Sequence, residues 1–138
     1  MKTVLAFGSF DILHPGHLYY LEEAKRHGDL LIVVVARDDS IRKLKGHEPK
    51  YKQLERLEHI RALPYVNKAV LGHNIRDPYE IVEDINPDVI CFGYDQKTFA
   101  TDVKAELKKR GLKAEVVTIG PFREHEFKSS KIKRSLNE

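Results

Sequence analysis

Sulfur and indole are nearly missing from this sequence: one Cys, one Met and no Trp in 138 residues. A single thiol, Cys91, cannot form an internal disulfide or a multi-cysteine zinc site, which fits a reducing compartment. No apolar run approaches the roughly 20 residues that span a bilayer, and no charged segment followed by a cleavable apolar stretch opens the chain. A cytoplasmic location with no membrane partner is therefore expected. Several active-site signatures are lacking too. Without G-x-x-x-x-G-K-[ST] the chain is no P-loop NTPase, and without G-x-G-x-x-G after the first apolar run a dinucleotide-dependent dehydrogenase is disfavoured. No serine stands on a G-x-S-x-G turn, and Cys91 lies inside an expected strand, so no covalent nucleophile is offered. Excess charge is also small. A net +3 favours anionic small molecules without demanding nucleic acid.

What is present reads as one globular domain over residues 1–138, with 41% apolar and 33% charged residues. Residues 2–7 and 30–36 are near-continuous apolar runs, the pattern of strands buried on both faces. Between them the spacing predicts a helix over about 15–27, with Pro15 in its first turn and Gly28 as its stop. Further strands are expected at 68–71, 89–92 and 115–119, and helices at about 54–63, 79–85 and 101–110. Residues 37–53 read as a short helix followed by a mobile basic loop, and a basic segment from Lys128 as a closing helix. Strands and helices alternate without repeats or linkers. The expected fold is a single Rossmann-like, doubly wound α/β domain with a five-stranded, largely parallel sheet. Ligands of such sheets bind beyond the carboxyl ends of the strands, where strand order switches. Loops from distant parts of the sequence converge there.

The first of those loops is Gly8-Ser9-Phe10-Asp11-Ile12-Leu13-His14-Pro15-Gly16-His17. Two histidines three apart at a strand-to-helix junction share one face, and a helix start offers unpaired N–H groups suited to phosphate. His14 and His17 could be metal ligands, an acid–base pair, phosphate donors or simple helix caps. The metal reading lacks a third ligand nearby, and the phosphate reading is preferred. Asp11 could hold a histidine tautomer, bind a cation or serve the turn, while Gly16 would permit close backbone approach. Lys43 and Lys45 alternate in the basic stretch and could reach one polyanion, or form a solvated face. Arg56, flanked by Glu55 and Glu58, reads on pattern alone as a surface salt bridge. Asp95 follows the fourth strand, where a carboxylate could hold ribose hydroxyls or close a turn. Arg123 and Ser129-Ser130 precede the last expected helix, as a second anion site or a capped polar tail. The basic segment from Lys128 lacks interleaved aromatics beyond Phe127, so nucleic acid is not the expected partner. What remains is displacement on a bound nucleotide, catalysed by placement and charge.

The chain resembles the HxGH-type nucleotidyltransferases, specifically the cytidylyltransferase-like group. Residues 8–17 are similar to its G-[ST]-F-D-x-x-H-x-G-H signature, and Phe127-Lys128-Ser129-Ser130-Lys131-Ile132 to its closing I-S-[ST]-[ST]-x-[IL] motif. Lys128 departs from the serine usual there. Gly93-Tyr94-Asp95-Gln96 and the Val-Val-Val-Ala-Arg-Asp end of the second strand look most like archaeal-type FAD synthases, which adenylylate FMN with ATP. The resemblance implies His14, His17 and Lys45 as catalytic groups. It puts Ser9, Phe10, Pro15 and Gly16 with both histidines, Asp95, Arg123, Ser129 and Ser130 against the nucleotide, and Asp11, Lys43 and Arg56 against the substrate. Arg56 falls on the family's E-x-R position. The resemblance also implies Mg²⁺ carried by ATP without dedicated protein ligands, and a homodimer. Alternatives are a glycerol-3-phosphate cytidylyltransferase, another phosphate-substrate nucleotidyltransferase, or a non-catalytic nucleotide-binding regulatory module.

Overall fold

Every long apolar run becomes a strand, because each has a hydrophobic layer on both sides. In the computed structural model, which describes residues 1–72, 79–93 and 103–121, the strands are β1 (Thr3–Gly8), β2 (Leu30–Val35), β3 (Lys68–Leu71), β4 (Val89–Gly93) and β5 (Glu115–Ile119). All pair in parallel, in the order β3-β2-β1-β4-β5. Alternation along β1 assigns its residues to two cores: Val4 and Ala6 face one, Leu5 and Phe7 the other. β4 divides in the same way, Val89 and Cys91 against Ile90 and Phe92. Burial on both faces is what parallel sheets require.

The described helices are α1 (Pro15–Lys25), α2 (Asp38–Lys45), α3 (Gln53–Arg61), α4 (Glu80–Ile85) and α5 (Val103–Lys109). Tyr20, Leu21 and Ala24 of α1 and Leu57 and Ile60 of α3 cover one face, while Ile81 and Val82 of α4 and Leu107 of α5 cover the other. The chain therefore winds outward from β1 to β3, returns to the centre at β4, and changes face as it changes direction. Same-handed crossovers impose that change of face. The switch in strand order lies between β1 and β4, where such sheets open a crevice.

Among the described residues the expected elements are present, with boundaries shifted by at most two residues. One expectation is corrected. Lys43 and Lys45 do not lie in a loop: α2 runs through both and ends at Gly46, with Asp38 and Asp39 in its first turn and three basic residues in its last. That charge order suits the helix dipole. The expected closing helix from Lys128 lies outside the described residues.

Candidate active site

α1 begins where β1 ends, and the local sequence explains how. Pro15 takes the first helical position, where its missing N–H costs nothing, and His14 is the N-cap in an extended conformation. His14 Nδ1 accepts the Gly16 N–H at 3.1 Å. In the neutral ring that bond leaves the proton on Nε2, as a donor available to a ligand. A side chain at Gly16 would meet the imidazole, since a Cβ there would lie 2.9 Å from His14 Cε1. Glycine is needed for the cap to form.

The amide groups of this helix start are already committed. Pro15 has none, Gly16 gives its own to His14 Nδ1, and His17 bonds the His14 carbonyl at 2.9 Å. The expectation of unpaired N–H groups at the start of α1 is not met. The two imidazoles lie stacked, centroids 3.7 Å apart and 23° from parallel, so they share one face as their spacing suggested. Phe10 supports them from below. Its ring is buried, meets His17 edge-on at 5.4 Å, and lies over Gly8, where a Cβ would come within 2.5 Å of it. Reaching that position requires φ of 50° at Phe10, a left-handed conformation that costs an L-residue about 1 kcal/mol. The Phe10 ring is thus a floor for His17; only its backbone faces the loop.

α2 and the segment after it are fastened to this loop at three points. Lys45 Nζ donates to Ser9 Oγ at 3.1 Å, which brings its ammonium beside the histidine loop. Lys43, two residues earlier on the same helix, is exposed on a different side. Asp11 accepts backbone N–H bonds from Lys50 at 2.7 Å and Tyr51 at 2.8 Å. Partial burial raises its pKa, but those two bonds and the charges of Arg56 and Lys45 outweigh it and hold the carboxyl below its ordinary value. Arg56 is the third fastening. It is fully buried, and its Nε donates to the Tyr51 carbonyl at 2.9 Å. Nη1 donates to the Ser9 and Ala36 carbonyls at 2.8 and 2.7 Å, and Nη2 to Asp38 Oδ1 at 2.7 Å. The surface salt bridge expected from Glu55 and Glu58 is absent among these contacts: Glu55 accepts the Lys52 N–H and Glu58 pairs with Arg61. The helical phase held the signal, because Arg56 shares its stripe with Leu57 and Ile60. Arg56 ties together the loops that end β1 and β2.

Two residues that sequence reasoning missed belong here. Asp38 is the carboxylate partner of Arg56. The Tyr20 hydroxyl accepts the Phe7 N–H at 3.2 Å and donates to the Cys91 carbonyl at 2.7 Å, bridging β1 and β4. Cys91 itself is chemically quiet: burial, then Glu115, pushes its thiol up to about 12, so no thiolate forms near neutral pH. Among the described residues no group of three or more His, Cys, Asp or Glu side chains could hold a metal ion. Asp95, Arg123, Ser129 and Ser130 lie outside the described residues.

A stacked imidazole pair with one ammonium nearby, beside the switch in strand order, suits charge developing on a phosphate. Comparison with known proteins agrees. Residues 5–135 match the family model described as cytidylyltransferase-like. A protein of Aciduliprofundum boonei named FAD synthase is 46% identical over 122 residues, spanning 88% of this chain and 80% of that one. One of Methanosarcina mazei with the same name is 48% identical over 121 residues, 86% of this chain and 77% of that one. Among solved structures, one described as the lipopolysaccharide core biosynthesis protein of Thermoplasma volcanium superposes with a TM-score of 0.84 at 41% identity, covering 89% of this chain and 99% of that one.

Proposed function

The chain belongs to the cytidylyltransferase-like family, and from that premise we propose that this nucleotidyltransferase transfers AMP from ATP to the phosphate of FMN, giving FAD and pyrophosphate. The observation that carries the chemistry is the stacked His14–His17 pair with Lys45 fastened beside it through Ser9. The acceptor rests on the FAD synthases that this chain matches at 46–48% identity.

An FMN phosphate oxygen attacks the α-phosphorus in line. The new P–O bond forms as the bond to the β-phosphate oxygen breaks, and pyrophosphate leaves. His14, donating from Nε2, and His17 stabilise the charge that grows on the α-phosphate and the bridging oxygen. Lys45, held beside the loop through Ser9, supplies a positive charge that the committed N–H groups at the start of α1 cannot. Asp95, Arg123, Ser129 and Ser130 hold ribose and the outer phosphates in this reading, on the strength of the terminal motifs. Ser9, Phe10, Pro15 and Gly16 contribute backbone shape, Asp11 and Arg56 hold that shape, and exposed Lys43 adds long-range attraction for anions. Mg²⁺ enters with the triphosphate as part of the substrate and retains several waters. A cytoplasmic homodimer without nucleic-acid or membrane partners completes the proposal; no described helix is long and apolar enough to cross a membrane.

The test is pyrophosphate release from the purified protein with ATP and FMN, with FAD identified by chromatography. ATP and CTP are each paired with FMN, glycerol 3-phosphate and a sugar phosphate. FAD from ATP and FMN alone is the expected result. Pyrophosphate with another pair would move the acceptor, and none with any pair would leave a binding module.

A further inference from the structure

Among the described residues every arginine but one has a carboxylate partner. Arg26, Arg42, Arg56, Arg61 and Arg110 each form an ion pair. Arg37 forms none. The two aspartates that follow it in sequence are already engaged, Asp38 with Arg56 and Asp39 with Arg42. Its one hydrogen bond runs from Nε to the Gly72 carbonyl at 2.7 Å, and among the described residues neither Nη has a partner. The residue is nonetheless half-buried. A guanidinium does not shed its charge on losing water, so a partly desolvated fork of donors calls for acceptors from elsewhere.

The sheet fixes where that fork stands. β2 and β3 pair as far as Val35↔Leu71, and the Gly72 N–H then bonds the Val35 carbonyl at 2.9 Å. Arg37 therefore grips a residue that is itself tied into the ladder, and its guanidinium is held at the carboxyl edge by the end of β3. Adjacent strands lie about 4.8 Å apart, so the end of β3 is about 10 Å along that edge from β1, which delivers the histidine loop. It lies on the side away from β4. A ligand group at Arg37 is too far from His14 and His17 to be the reacting phosphate, but near enough to belong to the same extended molecule.

We infer that Arg37 is an acceptor-specificity residue, whose Nη fork takes two adjacent hydrogen-bond acceptors at the end of the acceptor remote from its phosphate. The inference rests on the proposed transfer to FMN and says which part of FMN is read. A ribityl chain separates the phosphate of FMN from its isoalloxazine ring. Oxidised isoalloxazine presents two pairs of acceptors along its edges, N1 with O2 and N5 with O4. None of these atoms carries a proton, and each pair lies in the ring plane, so a planar guanidinium meets it as it would a carboxylate. Glycerol 3-phosphate is too short to reach from the histidines to Arg37 and offers no such edge.

Arg37→Gln and Arg37→Lys both remove the fork while keeping an N–H donor for the Gly72 carbonyl. The Kd for oxidised FMN, read from flavin fluorescence, should rise roughly 10- to 100-fold in Arg37→Gln, and KM for FMN should rise with it. KM for ATP should stay within about threefold. Arg37→Lys, a point charge without the fork, should recover little. Analogues identify the edge: wild type should bind 1-deaza-FMN or 5-deaza-FMN more weakly than FMN, whichever has lost a contacted nitrogen, and Arg37→Gln should no longer distinguish that analogue from FMN. If Arg37 merely braces β3, the variants melt earlier but rank the three flavins as wild type does, and the inference is overturned. An unchanged Kd for FMN in a folded variant overturns it too, as does a wild type that binds both analogues as tightly as FMN. Wild-type protein that makes FAD while the variants keep its KM for FMN sinks this inference alone. Wild-type protein that neither binds FMN nor makes FAD sinks the proposed acceptor, and this inference with it.

Discussion

The two edges of the sheet use the same kinds of side chain to opposite ends. At the amino edge, the polar residue just before each of three strands folds back onto the neighbouring strand. Asp29, before β2, accepts the Lys2 N–H through Oδ2 and returns its own N–H to the Lys2 carbonyl, both at 2.8 Å. Asp88, before β4, does the same with Thr3, at 2.8 and 2.9 Å. Asn67, before β3, does so with Leu31, at 2.8 and 3.0 Å. Each exchange closes the ladder. At the carboxyl edge, Asp11, Arg56 and Lys45 instead bond from loop to loop, and the Tyr20 hydroxyl ties the ends of β1 and β4 to α1. The amino edge uses its polar groups to finish a sheet. The carboxyl edge uses them to tie separate loops together around the histidine pair. Perturbing the amino edge should therefore change stability alone, and perturbing the carboxyl edge should change rate.

Arg56 is the residue most able to break that division, because it belongs to the carboxyl edge and is fully buried. Arg56→Ala strands three loop carbonyls and the Asp38 carboxylate. Loss of one partner from a buried ion pair costs about 3–5 kcal/mol, so urea unfolding should show the largest drop of any single change here. Turnover should fall with it, since the Ser9, Ala36 and Tyr51 backbones lose their common tie. Arg56→Lys cannot reproduce the fork of donors and should rescue little. Full activity in a merely destabilised Arg56→Ala protein would mean that the loops hold their shape unaided.

His17→Ala states the carboxyl-edge rule in its pure form. The ring is partly exposed, and its loss removes one preorganised donor from a developing anion, worth on the order of 10²–10³ in kcat. The melting temperature should stay close to wild type. Wild-type-like kcat in this variant would remove the histidine pair from the mechanism.

Asp88→Ala is the mirror experiment at the other edge. It leaves the Thr3 amide without its side-chain acceptor, at an exposed site, and should cost on the order of 1 kcal/mol. Its kcat and KM should match wild type. A kinetic defect here would show that the two edges are coupled through β4.

How far these differences could be read from sequence depends on what each needed to be seen. The strands were legible because burial on two faces leaves uninterrupted apolar runs, as in Leu30–Val35. The histidine loop was legible from its spacing and from Pro15, and the stacked rings match it. Lys43 and Lys45 were misplaced because basic, polar composition imitates a loop; the acidic start at Asp38-Asp39 and the Gly46 stop were the helix signals to weigh. Tyr20 could not be assigned from sequence at all. Its role exists only once β4, some 70 residues on, lies beside β1, and strand order is a property of the whole chain.

Asp11 gives the finest separation of the edges, through pH. Its folded-state pKa is lowered, so the ionised carboxylate favours the folded state. That contribution is complete above the unfolded value of about 3.9 and is lost as pH falls through the lower folded value. Asp11→Asn removes the titration and keeps one acceptor for the Lys50 and Tyr51 amides. The stability difference between wild type and Asp11→Asn should therefore be flat from neutral pH down to about 4 and shrink below it. The effect will be small, because Asp11 is only partly buried. At neutral pH the same variant should raise KM more than it lowers kcat, since it loosens the segment after α2 without touching the histidines. A stability difference that instead widened as pH fell below 4 would mean the carboxylate is a burden on the fold, and that Lys50 and Tyr51 are held by the chain rather than by Asp11.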